Sequence, residues 1–137
     1  MLTVDRLLTS DGRFPKRAAF ADDTIRANLA LLCGRVNALL SELGVGSVRV
    51  SSGYRDPSVK KGALKSAHRV GMAVDLVDAG HAISRRCTKE LLLKYQLRRE
   101  DDDYTATWVH LDSRMPYGSI FKPWLESNRY LRASERG

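Results

Sequence analysis

The chain has 137 residues, a length that suits one domain and is too short for two of ordinary size. Apolar residues form 43% of it and charged residues 28%, the balance of a soluble globular protein, and no stretch approaches the roughly eighteen apolar residues of a membrane span. These figures argue against a membrane-spanning chain and predict a single domain over residues 1–137. Neither Cys33 nor Cys87 lies in a CxxC pair, so both are expected to be reduced thiols.

The chain is basic, with 23 Lys and Arg against 16 Asp and Glu and a net charge of +7. Such a balance attracts polyanions, which include nucleic acid and the anionic bacterial envelope. The basic residues are scattered, and they do not interleave with aromatic residues as they do on surfaces that stack bases. Net charge is the only feature behind a nucleic-acid-binding module, so nucleic acid is not the expected partner.

The first predicted elements are helices. A short helical turn covers Val4 to Leu8. The clearest helix runs from Asp22 to Leu43, because an acidic N-cap precedes apolar residues that recur at helical spacing and Gly44 ends the pattern. Those apolar residues are Ile25, Leu29, Leu32, Val36, Leu39, Leu40 and Leu43. This helix is expected to be the core scaffold.

Three strands are predicted after the long helix. They cover Ser47–Ser51, Met72–Val77 and Tyr104–Leu111, where β-branched and apolar residues are bounded by turn residues. A helical pattern over residues 84–97 separates the second strand from the third. The acidic run Glu100–Asp103 is predicted to be a solvated turn. Helices before and between strands in this order predict an α+β domain with a small, mainly antiparallel sheet and flanking helices.

The tail from residue 116 onward is predicted to pack against the domain. It carries four large apolar side chains, Phe121, Trp124, Leu125 and Tyr130. Side chains of this size are seldom left in water together, so the tail is expected to cover part of the core.

The residues that indicate chemistry are histidines beside strands. Six residues separate His68 from Asp75 in the string SAHRVGMAVDL, so the imidazole precedes a strand and the carboxylate lies within it. Gly71 allows the backbone to turn between them. His110 lies on another predicted strand. If the two strands are neighbours, these three side chains converge. His81 follows a turn and is expected at the surface.

Two imidazoles and one carboxylate are a common zinc ligand set that leaves a fourth position open. A zinc ion held in this way lowers the pKa of its bound water to about 7 and polarises a carbonyl. On spacing alone, two ordinary hydrogen-bonded histidines explain the pattern equally well. The flanking sequence decides between the two interpretations.

The segment VSSGYRDPSVKKGALKSAHRVGMAVDL, together with the later string TWVH, resembles the signature of the D-alanyl-D-alanine carboxypeptidase-like zinc peptidases. This family includes peptidoglycan-trimming carboxypeptidases and phage endolysins, and it shares its fold with the Hedgehog signalling domain. The matching positions are Ser52, Gly53, Tyr54, Arg55, Ser66, His68, Gly71, Ala73, Asp75, Trp108 and His110. The resemblance covers about residues 2–112. It implies a Hedgehog-like or DD-peptidase-like α+β fold.

The resemblance implies a Zn²⁺ site with three ligands, His68, Asp75 and His110. It implies that Arg55 binds or polarises the carbonyl or carboxylate of the substrate, a role that suits a fixed guanidinium. The alternative for Arg55 is a structural salt bridge to Asp56 or Asp78. Ser66 is expected either to order its loop or to bind substrate.

The general base is where the sequence departs from the family. Many members carry Glu or Asp three residues before the last histidine, and here that residue is Thr107, which cannot accept a proton at neutral pH. One candidate is Asp112, which points to the same face of its strand as His110 and acts either as the base or as an acceptor that orients that histidine. Another is the group Asp101–Asp103. A third possibility is that no base is present.

These observations predict a zinc-dependent peptidase that hydrolyses an amide bond in peptidoglycan stem or cross-bridge peptides. The N-terminal residues MLTVDRLLTSDGRFPKR do not form a signal peptide, so we expect a monomeric phage or prophage lysin that accumulates in the cytoplasm and is released to the wall, or one carried by the virion. The alternative is a non-catalytic, zinc-stabilised structural or binding domain, such as a phage tail or assembly protein, which Thr107 favours.

Overall fold

The computed structural model describes residues 1–60 and 66–122. Within these ranges the helices are α1 (Val4–Thr9), α2 (Asp23–Glu42) and α3 (Lys89–Lys94). The strands are β1 (Val50–Ser52), β2 (Ala73–Val77), β3 (Arg98–Glu100), β4 (Trp108–Asp112) and β5 (Ile120–Phe121). Short 3-10 turns connect them. The α+β class predicted from the sequence is confirmed.

The five strands form one sheet in the order β1-β2-β4-β3-β5. All neighbouring pairs are antiparallel except β3 and β5, which are parallel. In the centre of the sheet Asp75 pairs with His110, and Asp112 pairs with Ala73 on one side and with Arg98 on the other. A mainly antiparallel sheet was the expectation, and the register brings charged residues of three strands side by side.

Helix α2 supplies most of the core. Its N-cap Asp22 accepts a hydrogen bond from the Ile25 amide at 2.8 Å, as the sequence predicts. Four fully buried residues of this helix, Leu29, Leu32, Val36 and Leu39, share one hydrophobic cluster with Val74, Leu76, Val109 and Leu111 of the sheet. The strand residues that alternate with Val74, Leu76, Val109 and Leu111 include Asp75, His110 and Asp112, so the second face of β2 and β4 carries the candidate site. In the described ranges, none of the helices is both long and apolar enough to cross a bilayer.

The predicted boundaries shift where turns intervene. The first strand begins at Val50 instead of Ser47, and the third begins at Trp108 instead of Tyr104. The segment before Trp108 is a 3-10 turn over Asp102–Tyr104, because the Asp101 side chain accepts the Asp103 amide at 3.0 Å and starts a turn there. The helical pattern over 84–97 is divided into a 3-10 turn and α3.

Strand β3 was not predicted, and the interpretation of Glu100 as part of a solvated turn is wrong. Glu100 is the last residue of β3 and faces the candidate site, whereas the turn begins after it. The charged sequence Arg98–Glu100 conceals a strand whose residues are largely buried. Phe121, expected to pack, lies in β5 beside β3. The remaining tail residues, Trp124, Leu125 and Tyr130, fall outside the described residues.

Both cysteines are buried and unbonded, as expected. Burial raises the pKa of the Cys33 thiol and of the Cys87 thiol to about 11. Both thiols are therefore protonated at neutral pH and behave as small apolar core groups.

Candidate metal centre

A row of polar side chains crosses one face of the sheet. Ser52 of β1 pairs with Asp75 of β2, and Asp75 pairs with His110 of β4. The row continues to β3, where Glu100 Oε1 lies 3.7 Å from His110 Nδ1. Since antiparallel neighbours directly opposite each other are only about 5 Å apart, the pairing alone brings the two predicted ligands Asp75 and His110 together.

His68 reaches this row from a short 3-10 turn, Ala67–Val70. The Ser66 hydroxyl accepts the amide of His68 at 3.2 Å and starts the turn. Gly71 ends it with a φ of +76°, and a Cβ at this position would lie 2.7 Å from the Ile25 carbonyl oxygen of α2. Only glycine fits both the conformation and the close approach, which explains the glycine in the S-x-H-x-x-G pattern.

The orientation of the His68 ring is set by Gly53. Its carbonyl oxygen lies 2.8 Å from His68 Nδ1, so Nδ1 carries the hydrogen and Nε2 is directed at Asp75, 3.3 Å from Oδ2. A Cβ on Gly53 would lie 2.1 Å from the carbonyl oxygen of Leu7 in α1. The glycine of the SGYR segment therefore allows α1 to pass directly against the residue whose carbonyl orients His68.

His110 is held on both sides. Its Nε2 lies 2.9 Å from Asp112 Oδ2, and its Nδ1 lies 2.9 Å from Asp75 Oδ1. Asp112 is fully buried, and its other oxygen binds Arg98 Nε at 2.6 Å. Because a carboxylate accepts hydrogen bonds, Asp112 keeps the hydrogen on Nε2 and directs Nδ1 toward Asp75.

The three residues meet the requirements of a metal site. One donor atom from each of His68, Asp75 and His110 lies within 4.8 Å of the other two, and all three residues are buried. The nitrogens that converge are His68 Nε2 and His110 Nδ1, while the opposite nitrogen of each ring binds an oxygen behind it. Metal-binding imidazoles have this second contact almost always. The group could hold a divalent transition-metal ion, and its donors are those that zinc accepts.

Charge in the cluster favours a cation between the ligands. Burial opposes ionisation of Asp75, but His68 and His110 together hold the pKa of Asp75 well below its usual range. Burial also opposes protonation of His110, yet its hydrogen bonds to Asp112 and Asp75 raise its pKa to about 10. For His68, burial dominates and lowers the pKa. A proton on His110 Nδ1 and a metal ion thus compete for one place.

Arg55 lies at the edge of this cluster. Its Nη2 is 3.8 Å from Asp75 Oδ2, and 23% of its side chain is exposed. The two acids weighed as structural partners are engaged elsewhere: Asp56 pairs with Arg17 at 3.4 Å, and Asp78 accepts the amides of the turn that follows. The contact of Arg55 is with a candidate ligand itself.

Ser66 caps the turn of His68, in agreement with the loop-ordering alternative, and its contact with substrate stays a prediction. His81, expected at the surface, is partly buried with Nε2 against the Thr105 carbonyl. Trp108 begins β4 opposite Val77. The Trp108 side chain is partly exposed and the Val77 side chain is exposed.

The carboxylates considered as bases occupy different positions. Asp102 binds Arg99 at 3.1 Å, Asp101 caps its own turn, and Asp103 and Thr107 are exposed. Among them only Asp112 contacts a candidate ligand, through His110 Nε2 on the far side of the ring.

Glu100 is the residue that sequence reasoning missed. It faces the Nδ1 edge of His110, its side chain is 17% exposed, and burial together with the charges of Asp75 and Asp112 raises its pKa against the opposing effect of His110. The alternation of Arg98 with Glu100 is the one sequence signal for it, and this signal is hidden by the acidic run that follows.

Protein-family models, curated proteins and solved structures were compared with the chain, and none matches. The family resemblance of the SGYR and S-x-H-x-x-G-x-A-x-D segments therefore stays a prediction. What the site can do is argued from its own geometry.

Proposed function

We propose that this chain is a zinc-dependent peptidase that hydrolyses an amide bond in the stem or cross-bridge peptides of peptidoglycan. The observation that carries the proposal is the convergence of His68 Nε2, an Asp75 oxygen and His110 Nδ1 on one buried point, each imidazole already oriented by an oxygen behind it. The resemblance of the flanking segments to D-alanyl-D-alanine carboxypeptidase-like enzymes supplies the substrate class.

In this proposal His68, Asp75 and His110 hold the ion. Zinc bound by three protein ligands supplies a Lewis acid that polarises a carbonyl and makes coordinated water acidic near pH 7. Asp75 contributes the one negative charge of the ligand set, and its depressed pKa keeps it ionised throughout the neutral range.

Arg55 is proposed to bind the substrate. Its guanidinium borders the ligand cluster and remains partly exposed, and within residues 1–60 and 66–122 its ion pair is the long contact of 3.8 Å to Asp75. A guanidinium in this place can hold the carboxylate of a peptide or the negative oxygen that develops on the scissile carbonyl. Ser52, whose hydroxyl lies 3.4 Å from Arg55 Nε, would keep the side chain directed at the cluster.

Glu100 is proposed as the general base in place of the acid that is missing at Thr107. It faces the same nitrogen of His110 that faces Asp75. Its pKa is raised toward neutral pH, and a general base works best when its pKa is near the pH of the reaction. Asp112 is less suited, because Arg98 and the Arg114 amide bind its Oδ1 while His110 binds its Oδ2. Those contacts fit the alternative role of Asp112, an acceptor that orients His110.

The test is release of peptide fragments or amino acids from purified sacculi. Wild-type protein loaded with zinc should release them, a chelator should stop the release, and added zinc should restore it. His68→Ala should be inactive in every condition, whereas His81→Ala, a change outside the cluster, should retain activity. Wild-type protein that binds zinc tightly and releases nothing from sacculi of several wall chemistries would falsify the peptidase proposal.

A non-catalytic, zinc-stabilised structural or binding domain is the second candidate. The observation in its favour is the low exposure of the ligands, which is 2% for His68, 7% for Asp75 and 5% for His110. Low exposure of the ligands limits the access of a substrate to the ion, which suits an ion with a structural role. This candidate predicts that zinc raises the melting temperature of the protein while no peptide is released from sacculi. The sacculus assay therefore separates the two candidates.

A further inference from the structure

A buried arginine lies behind the candidate metal centre. The side chain of Arg98 is 4% exposed, and its Nε lies 2.6 Å from Oδ1 of Asp112, which is fully buried. Taking a guanidinium and a carboxylate out of water is costly and offsets much of their attraction, so an ion pair at this depth is weak evidence for a purely stabilising role. The pair lies on the face of the sheet that carries the site, and Arg98 is directly opposite Asp112 in the β3–β4 register.

The arginine is also covered by an aromatic ring that contacts His110. The Cζ atom of Arg98 lies 4.0 Å from the centroid of the Phe121 ring. The same ring meets the His110 ring edge to face, with centroids 5.7 Å apart. Phe121 therefore contacts Arg98 and His110, the two ends of the series Arg98, Asp112, His110.

We propose that Arg98 is a positioning residue, which acts through Asp112 to make His110 present Nδ1, and not Nε2, to the metal ion. The inference rests on the metal site of the proposed function. Arg98 Nε and the Arg114 amide, at 3.1 Å, both bind Asp112 Oδ1. The carboxylate is thereby fixed in one rotamer, and only Oδ2 is left to accept from His110 Nε2, at 2.9 Å.

The geometry requires arginine and not merely a positive charge. The planar guanidinium offers an edge to the carboxylate and a face to the Phe121 ring at the same time. A lysine ammonium has no such face, and it binds a carboxylate as a point charge without fixing its rotamer. With lysine at position 98, Asp112 would be neutralised but free to rotate, and the His110 ring would lose its fixed orientation.

The test compares Arg98→Lys and Arg98→Met with Arg99→Lys. Arg99 is a matched control, because it is the next residue of β3, is 9% exposed, and binds Asp102 and the Cys87 carbonyl on the other side of the strand. Zinc affinity is measured by competition with a chromophoric chelator. The ring ¹⁵N shifts of zinc-loaded protein report which nitrogen of His110 carries hydrogen.

We expect both Arg98 variants to bind zinc about 10- to 100-fold more weakly, the range typical of lost outer contacts of metal ligands. Their His110 ring should lose the single Nε2–H signature. Arg99→Lys should lower the melting temperature and leave the zinc affinity and the ¹⁵N shifts unchanged. Wild-type affinity with an intact Nε2–H signature in Arg98→Lys overturns the inference, as does an equal loss of affinity in Arg99→Lys.

If the Arg98 variants do not fold, Phe121→Leu serves in their place. Phe121 is partly exposed, so replacing it should destabilise the fold less than replacing the buried Arg98. Because Phe121 also contacts His110 directly, support requires weaker zinc binding together with loss of the single Nε2–H signature of His110, and unchanged binding contradicts the inference. All readouts concern zinc binding, so a wild-type protein that binds zinc but does not cleave sacculi rejects the peptidase and leaves the role of Arg98 standing.

Discussion

Asp75 and His110 face each other across strands β2 and β4, with Oδ1 of the carboxylate 2.9 Å from Nδ1 of the imidazole. Without a metal ion, a proton on His110 Nδ1 forms the hydrogen bond between these two atoms. The pKa of His110 is raised to about 10 by this carboxylate and by Asp112, whereas burial lowers the pKa of His68. A metal ion that binds between Asp75 and His110 has to displace the proton on His110 Nδ1. Zinc affinity and the stability of the metal-free protein should therefore both depend on pH.

Zinc affinity should rise with pH by about tenfold per unit across the neutral range, because one proton leaves His110 for each ion bound. His68 is already neutral there and Asp75 already ionised, so neither adds to the slope. Competition with a chelator of known pH dependence at pH 6, 7 and 8 measures it, and a total change of about 100-fold is expected. A slope of zero, or of two protons between pH 6 and 7, would contradict this arrangement; above pH 7 the ionisation of zinc-bound water adds to the slope.

The metal-free protein should lose stability as the pH is raised from 7 toward 10. The folded-state pKa of His110, about 10, exceeds the unfolded value of about 6.5. The stabilisation from protonated His110 is therefore complete below the unfolded pKa and disappears as the pH rises through the folded pKa. Urea unfolding in the presence of a chelator measures it. The buried thiols of Cys33 and Cys87, whose pKa values are raised to about 11, add a decline of their own only above the unfolded thiol pKa of about 8.5. In His110→Gln the decline between pH 7 and 8 should therefore be absent, and a wild-type curve that is flat between pH 7 and 8 would refute the assignment.

Gly53→Ala should damage both the fold and the site. The new Cβ would lie 2.1 Å from the carbonyl oxygen of Leu7, and because the clash is with backbone, α1 has to move. A loss of about 1–3 kcal/mol in the free energy of unfolding is expected, together with weaker zinc binding, because the Gly53 carbonyl orients His68. Gly34→Ala is the control: nothing lies within 4 Å of its Cβ position inside α2, so this change should stabilise the protein by up to about 1 kcal/mol. Equal stability of the two variants would argue against the close approach of α1.

Glu100→Gln should separate proton transfer from metal binding. If Glu100 is the base, the rate of peptide release from sacculi falls by about 10²- to 10⁴-fold, while zinc affinity changes little because Glu100 is not a ligand. Asp112→Asn should show the opposite pattern, with zinc affinity as the main loss. Glu90→Gln, at an exposed position of α3, serves as the matched control and should be unchanged in both assays. Full activity in Glu100→Gln would return the role of base to the other carboxylates.

The sequence predicts this site only as far as local patterns reach. Helix α2 and strand β2 follow from the spacing of apolar residues, and the approach of His68 to Asp75 follows from the few residues between them. That His110 lies opposite Asp75 depends on β4 being the neighbour of β2, which no local pattern states. The structure supplies that pairing.

Glu100 and Arg98 escaped prediction for a physical reason. Strands are recognised when apolar residues face a core, but the face of β3 that carries Arg98 and Glu100 lies against charged partners, Asp112 and His110. A charged strand buried by ion pairs has the composition of a surface loop. The partners that make its burial possible are ten or more residues away and become apparent only in the folded sheet.

The strand order has a consequence for how the site comes into being. β4 lies between β2 and β3 although both precede it in the chain, so it fills the gap between two earlier strands. His110 is carried on that strand, whereas His68 and Asp75 belong to the part that comes before. A chain that has not yet admitted β4 offers an ion two ligands out of three. Tight binding of metal would therefore report that the central strand is in place, and the ion would stabilise its insertion between β2 and β3.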